Sequence, residues 1–224
     1  PSAVDGIFDQ GISPGIVVVR VEEGASTADT VSNIIGGVDG ATGQYAGVHA
    51  LRAARSIVHA VPRINIVPGY SGYVTRENDT ITGAPVVAEL MGINTRLKAV
   101  TLADGPNTTD AEAITFAEVF GSERVYVVDP HVEVWDTVGN CAVSEPASAR
   151  AAGILAWSDY KRGFWWSPSN VVMNGIVGTS RPVEFELANA ACQANHLNEN
   201  KVATIIREQG YRLWGNRTTT ADPK

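Results

Sequence analysis

Three short apolar runs, each rich in β-branched residues and each stopped by a turn signal, stand out in the hydrophobic pattern. They are Arg63-Ile-Asn-Ile-Val-Pro-Gly69, Lys98-Ala-Val-Thr-Leu-Ala-Asp-Gly105 and Arg124-Val-Tyr-Val-Val-Asp-Pro130. Runs of this length and composition predict buried strands. Between and before them the apolar positions change to helical spacing: Val48, Leu51, Ala54 and Val58; Val86, Leu90, Ile93 and Leu97; Ile114, Ala117 and Phe120. Two helix starts are marked independently, by Thr109 with Glu112 three residues on and by Pro85 in a first turn, where its missing N–H costs nothing. Strands alternating with helices imply βαβ units. The expected fold is therefore α/β, with a mixed, largely parallel sheet flanked by helices.

The flanks read differently. Gly15-Ile-Val-Val-Val-Arg-Val21 makes residues 1–30 an N-terminal strand segment joining a core that occupies 31–224. After the third run, Val132 and Val134 alternate with polar neighbours and Gly139-Asn140 follows, predicting an antiparallel hairpin extension into Cys141-Ala-Val143. An Ala-rich helix is expected from Pro146 to about Lys161. A further helix is expected from about Asn198 to Gln209, ended by Gly210 in the left-handed conformation, with Tyr211-Arg-Leu-Trp214 as a last strand.

Composition narrows the function classes. With 44% apolar and 18% charged residues over 224 positions, the chain has the makeup of a folded globular protein with a sizeable core. A net charge of −7 without clustered Lys or Arg argues against a direct nucleic-acid partner. No apolar run is long enough for membrane insertion. Cys141 and Cys192, far apart and in no ligand spacing, indicate neither a disulfide framework nor a metal site. The chain opens at Pro1 without an initiator methionine and stops at Asp222-Pro223-Lys224, so it is expected to be part of a longer product.

Candidate chemistry is sparse. Gly36-Gly-Val-Asp-Gly-Ala-Thr-Gly43 could turn backbone N–H groups toward a phosphate, but Gln44-Tyr45 stands where a P-loop carries Lys-Ser/Thr, and a structural loop explains the glycines equally. Asp104 and Asp129 follow strand ends, the edge where open parallel sheets place active sites. Two carboxylates there could hold Mg²⁺, which makes a metal-dependent α/β phosphohydrolase the alternative function. Both are also ordinary turn residues. His131-Val-Glu133 lacks the cysteine pair of a zinc deaminase. Phe164, Trp165 and Trp166 crowd beside Ser167-Pro168-Ser169-Asn170 and serve either core packing or an interface.

Taken in order, Gly105-Pro-Asn-Thr-Thr-Asp110, Arg124 to Pro130, Arg162-Gly-Phe-Trp-Trp-Ser-Pro-Ser-Asn170, Gly178-Thr-Ser-Arg-Pro182 and Gly210-Tyr-Arg-Leu-Trp-Gly-Asn-Arg-Thr218 resemble the tail sheath proteins of contractile-tailed phages and prophages. Gly43 to Leu51 extends the similarity. The resemblance implies a structural subunit, with neither catalysis nor cofactor, that stacks as six-membered rings around a tail tube and contracts to drive the tube through the host envelope for DNA ejection. It implies the tail tube protein, baseplate and tail terminator as partners beside the protein itself. The place implied is the virion, after assembly in host cytoplasm. Family members carry linking arms, a C-terminal subdomain and a tube-contacting helix that are expected to lie outside this chain, leaving a monomeric fragment. Trp165, Trp166, Pro168 and Asn170 become candidates for fixing the fold after the Ala-rich helix or for assembly. Arg181 and Arg217 become candidates for buried or intersubunit ion pairs.

Overall fold

A computed structural model describes residues 2–221. Pro1 and Asp222–Lys224, on which the truncation reading rests, lie outside the described residues.

Helix α1 (Ser2–Phe8) is followed by a stretch without regular structure, then by α2 (Thr27–Ile35), whose first turn is capped by the Ser26 hydroxyl accepting from the Asp29 N–H. A short hairpin, β1 (Gly37–Val38) and β2 (Tyr45–Ala46), leads into a 3₁₀ turn over Gly47–Ala53 and helix α3 (Ala54–Ile57). Strand β3 (Ile64–Ile66) precedes a second small hairpin, β4 (Thr75–Glu77) and β5 (Thr80–Gly83). Helix α4 (Pro85–Leu97) carries proline at its start, as its sequence predicts. Then come β6 (Val100–Asp104), α5 (Asp110–Glu118) and β7 (Val125–Val128), the expected strand–helix–strand unit. The hairpin of β8 (Val132–Asp136) and β9 (Cys141–Glu145) projects from it, followed by α6 (Ser148–Arg162), β10 (Val171–Val172) and β11 (Gly178–Thr179). Helix α7 (Gln193–Glu199), β12 (Val202–Arg207) and β13 (Tyr211–Trp214) complete the chain.

The main sheet has the order β10-β13-β12-β7-β6-β3, with β12, β7, β6 and β3 parallel and the β13 and β10 edge antiparallel. Every residue of β7 is buried because both sheet faces are covered, which is why its sequence is uninterruptedly apolar. One face packs Ala103, Val125, Val127 and Val202 against Val87, Phe116, Ala117 and Leu197 of α4, α5 and α7. The other packs Leu102, Tyr126, Val128, Ala203 and Ile205 against Ala151, Ala152 and Ile154 of α6. The small residues of α6 allow α1 to lie close. A β-carbon on Gly153 would meet the Ile7 carbonyl at 2.6 Å. Among the described residues no helix is long and apolar enough to cross a membrane.

Two expectations differ from the structure. The helix expected over 198–209 is instead the end of α7 and the central strand β12, and Gly210 turns the β12–β13 hairpin. Val202, Ile205 and Ile206 fit a helical face, but the β-branched run is buried on both sides of a sheet, and tertiary context decides. Gly15–Val21 forms no strand, because no described segment pairs with it.

Candidate functional site

Asp104 ends β6 and is fully buried. Its Oδ2 accepts from Ser71 Oγ and Ser148 Oγ, both at 2.8 Å, and its Oδ1 from the Ser148 backbone N–H at 2.8 Å. The Asp104 N–H donates to Ser71 Oγ at 3.0 Å. One carboxylate thus ties the strand end to the loop after β3 and to the first turn of α6. Burial pushes its pKa above the usual carboxylate range, against the opposing pull of the Ser148 and Ser71 donors.

Asp129 follows β7 and has no solvent-exposed surface. Arg181, in the segment after β11, donates one guanidinium nitrogen to Asp129 Oδ1 and another to Asp110 Oδ1 at the N-terminus of α5. Gln193 Nε2 donates to the second oxygen of Asp110 at 2.6 Å. The Asn107 N–H reaches Asp129 Oδ2 at 2.8 Å, while Asn107 Oδ1 accepts from the His131 N–H and from Ser180 Oγ. Asn107 holds φ +55°, and the chain passes so close at Gly105 that a β-carbon there would stand 2.5 Å from Asp129 Oδ2. Burial raises the Asp129 pKa, opposed first by the charge of Arg181 and then by the Asn107 N–H.

These contacts decide the chemistry. Both carboxylates end neighbouring parallel strands, as the sequence predicts, yet each spends its oxygens on donors of its own chain. Among the described residues no group of three or more His, Cys, Asp or Glu could hold a metal ion. The glycine loop serves an internal acid as well: Asp39 Oδ1 accepts from the Ala41 and Thr42 N–H groups and from Thr42 Oγ1, which lowers the Asp39 pKa through the Thr42 backbone bond first. The N–H groups proposed for a phosphate are turned onto this side chain.

Asn170, at φ +61°, donates its N–H to the Leu213 carbonyl at 2.6 Å, and its own carbonyl accepts from Arg212 Nη1 at 3.0 Å. The Gly215 N–H donates to Ser169 Oγ at 3.1 Å. Pro168, just before them in the chain, is half-buried. The loop after α6 is thereby pinned along β13. Its aromatics are not: Phe164, Trp165 and Trp166 are 82%, 72% and 56% exposed, and Tyr160 on α6 is 74% exposed. The core-packing expectation for Trp165 and Trp166 fails because α6 ends at Gly163, at φ +97°, and the loop beyond it docks on β13 through the Asn170 backbone, which leaves both indoles in solvent. Arg181 finds both partners within its own chain, whereas Arg217 is exposed and forms no ion pair with a described residue. Ser71, Asn107, Ser148 and Gln193 escaped the sequence reading. Only Asn107 carried a signal, by its place in the Gly105–Asp110 motif.

The family model for the phage tail sheath protein central domain matches residues 43–219. This chain belongs to the phage tail sheath family. It is 46% identical over 209 residues to a prophage major tail sheath protein of Pseudomonas aeruginosa (strain UCBPP-PA14), covering 93% of this chain and 51% of the relative. It is 36% identical over 229 residues to the tail sheath protein of Escherichia phage P2, covering 99% of this chain and 54% of that one. A chain in the anti-feeding prophage baseplate structure superposes with a TM-score of 0.51 at 26% identity, over 77% of this chain and 42% of that chain. The sheath chain spans about half the length of the curated relatives it matches. Its relatives are structural tail components and not enzymes, and this membership overturns the phosphohydrolase alternative for Asp104 and Asp129. Asp129, with Asn107, Asp110 and Arg181, is a clamp at the C-terminal edge of the sheet, and Asp104 with Ser71 and Ser148 is a second tie beside it.

Proposed function

We propose that this chain is the rigid body of a contractile tail sheath subunit. In the whole protein, subunits stack as six-membered rings around a tail tube and contract to drive the tube through the host envelope, so that DNA is ejected. The observation that carries this reading is the fate of the motif residues. Asn107, Asp110, Asp129 and Arg181 knit strand ends to helix starts, and Asn170 and Ser169 lock a loop onto β13, so these residues stiffen one body and build no reaction centre. A body of this kind suits a machine whose work comes from exchanging one set of subunit interfaces for another, with the extended sheath held as a kinetically trapped state. No nucleotide hydrolysis enters.

The partners in this reading are further copies of the protein, the tail tube protein, the baseplate and the tail terminator. Assembly takes place in host cytoplasm and the finished sheath is part of the virion. The fragment of 224 residues is monomeric. Tyr160, Phe164, Trp165 and Trp166 form the assembly surface, since exposed aromatics with adjacent basic groups, here Lys161 and Arg162, are the residue types that anchor protein interfaces. Arg217, exposed and without an ion pair to any described residue, is the candidate for a partner carboxylate.

Electron microscopy of the full-length protein tests the reading. Sheath-like tubes are expected from the wild type, and a Trp165→Ala/Trp166→Ala double variant is expected to remain dispersed while melting at the wild-type temperature. A full-length protein that never polymerises overturns the function. A double variant that polymerises normally overturns the assignment of the surface alone.

A further inference from the structure

Asn174-Gly175 is the one Asn-Gly step in the sequence. It lies in the loop between β10 and β11, with both residues exposed. The carboxamides of Asn65, Asn94 and Asn107 are engaged inside the fold, whereas that of Asn174 makes no hydrogen bond with a described residue. The Gly175 N–H donates to none either.

The backbone at this step is gripped by Gln10, which follows α1 and is 5% exposed. Gln10 Oε1 accepts from the Asn174 N–H at 3.0 Å, and Nε2 donates to the Asn174 carbonyl at 3.1 Å and to the Gly6 carbonyl at 3.0 Å. The Asn174 carbonyl belongs to the same peptide group as the Gly175 nitrogen. A donor on a peptide oxygen stabilises the negative charge that the oxygen takes up when the peptide nitrogen loses its proton, as an oxyanion hole does. Gln10 therefore favours the nucleophilic form of the Gly175 nitrogen, directly beside an unrestrained carboxamide. At φ +75° Gly175 has no side chain to shield that nitrogen, and Asp9 Oδ2 lies where a β-carbon would stand.

We propose that Asn174 is a self-modifying site, converted without an enzyme to aspartate and isoaspartate, and that Gln10 is the positioning residue that promotes the conversion. The Gly175 nitrogen bonds to Asn174 Cγ and the Cγ–Nδ2 bond breaks. Nδ2 leaves as ammonia, carrying the proton that the Gly175 nitrogen gave up. Water then opens the cyclic imide at either of its carbonyls. No oxidant or cofactor enters. The product puts a carboxylate on the wall of a cavity that Arg162 and Arg212 also line, and neither guanidinium forms an ion pair with a described residue. The surface charge there thus changes in one direction with age. This chemistry does not depend on the sheath function.

Peptide mass spectrometry tests it on the full-length protein, aged folded and aged unfolded in guanidinium chloride at the same pH and temperature. The fraction of Asn174 converted is expected to grow about fivefold faster in the folded protein, the gain from a hydrogen bond whose acceptor takes on charge. Gln10→Met keeps the side-chain length and removes the donor. It is expected to bring the folded rate down to the unfolded rate or below, and to leave the unfolded rate unchanged. A Gln10 that only restrains the loop gives the opposite pattern, a folded rate below the unfolded one that rises in the variant. A wild-type folded rate at or below the unfolded rate overturns the proposal, and so does a folded Gln10→Met rate equal to that of the wild type. Should the variant not fold, the wild-type comparison decides alone.

Discussion

Asp129 and Arg181 set the energetics at the clamp, because a buried carboxylate that loses its cation keeps its desolvation cost without compensation. Arg181→Ala is expected to destabilise the chain by about 3–5 kcal/mol, read as a lower urea midpoint at unchanged slope. Arg181→Lys is expected to rescue little of this, since a single ammonium does not reproduce the fork that reaches Asp110 and Asp129 together. The deficit should shrink as pH falls through the folded pKa of Asp129, which burial raises, because the protonated acid no longer needs the cation. Trp166 marks the opposite case. With 56% of its surface exposed, Trp166→Ala is expected to shift stability by no more than about 0.5 kcal/mol in a thermal melt of this chain. Residue type alone gave no warning of that difference. An aromatic triplet reads as core in sequence, and Arg181 stands 71 and 52 residues from its two partners, a juxtaposition that only folding creates.

At the scale of elements, Glu112 on α5 holds the β4–β5 hairpin in place. Its two oxygens accept from Arg76 Nη1 and Nη2 at 2.8 and 2.9 Å, and Thr108 Oγ1 adds a third bond at 2.6 Å. The Arg76 bonds first, then Thr108, hold the Glu112 pKa down at about 2. A depressed carboxyl contributes stability that is complete above its unfolded pKa, near 4.5, and is lost as pH falls through the folded value. Glu112→Gln should therefore be less stable than wild type at pH 7, with the gap narrowing from about pH 4.5 downward and closing only below pH 2, as urea midpoints across that range will report. The Thr109–Glu112 spacing announced the helix start correctly, since the Thr109 hydroxyl accepts from the Glu112 N–H at 3.3 Å. It hid the longer reach of the Glu112 side chain to Arg76. Elements whose local pattern and tertiary setting agree, such as β6, α5 and β7, were legible in advance. Strand β12 was not, because Val202, Ile205 and Ile206 satisfy two periods and only the position between β7 and β13 selects one.

For the whole molecule, the proposed sheath function asks the body to stay intact while its neighbours change. The parallel strands β6, β7 and β12 are buried on both faces, and their ends are closed by the Asp104 and Asp129 contacts, so they should open only with global unfolding. Exchange of the amides in Val100–Asp104, Val125–Val128 and Val202–Ile206 is accordingly expected to be the slowest in the chain. It should remain so, within about twofold, in full-length subunits before assembly, in extended sheath and in contracted sheath. Changes should gather instead at Tyr160 to Trp166, where aromatic surface leaves or enters water. Loss of protection in β7 on contraction would mean that subunits deform internally and that the stored energy lies within the fold. Constant protection there, with large changes around Trp165, places the energy difference between subunits, where closely packed bodies exchange one discrete set of contacts for another.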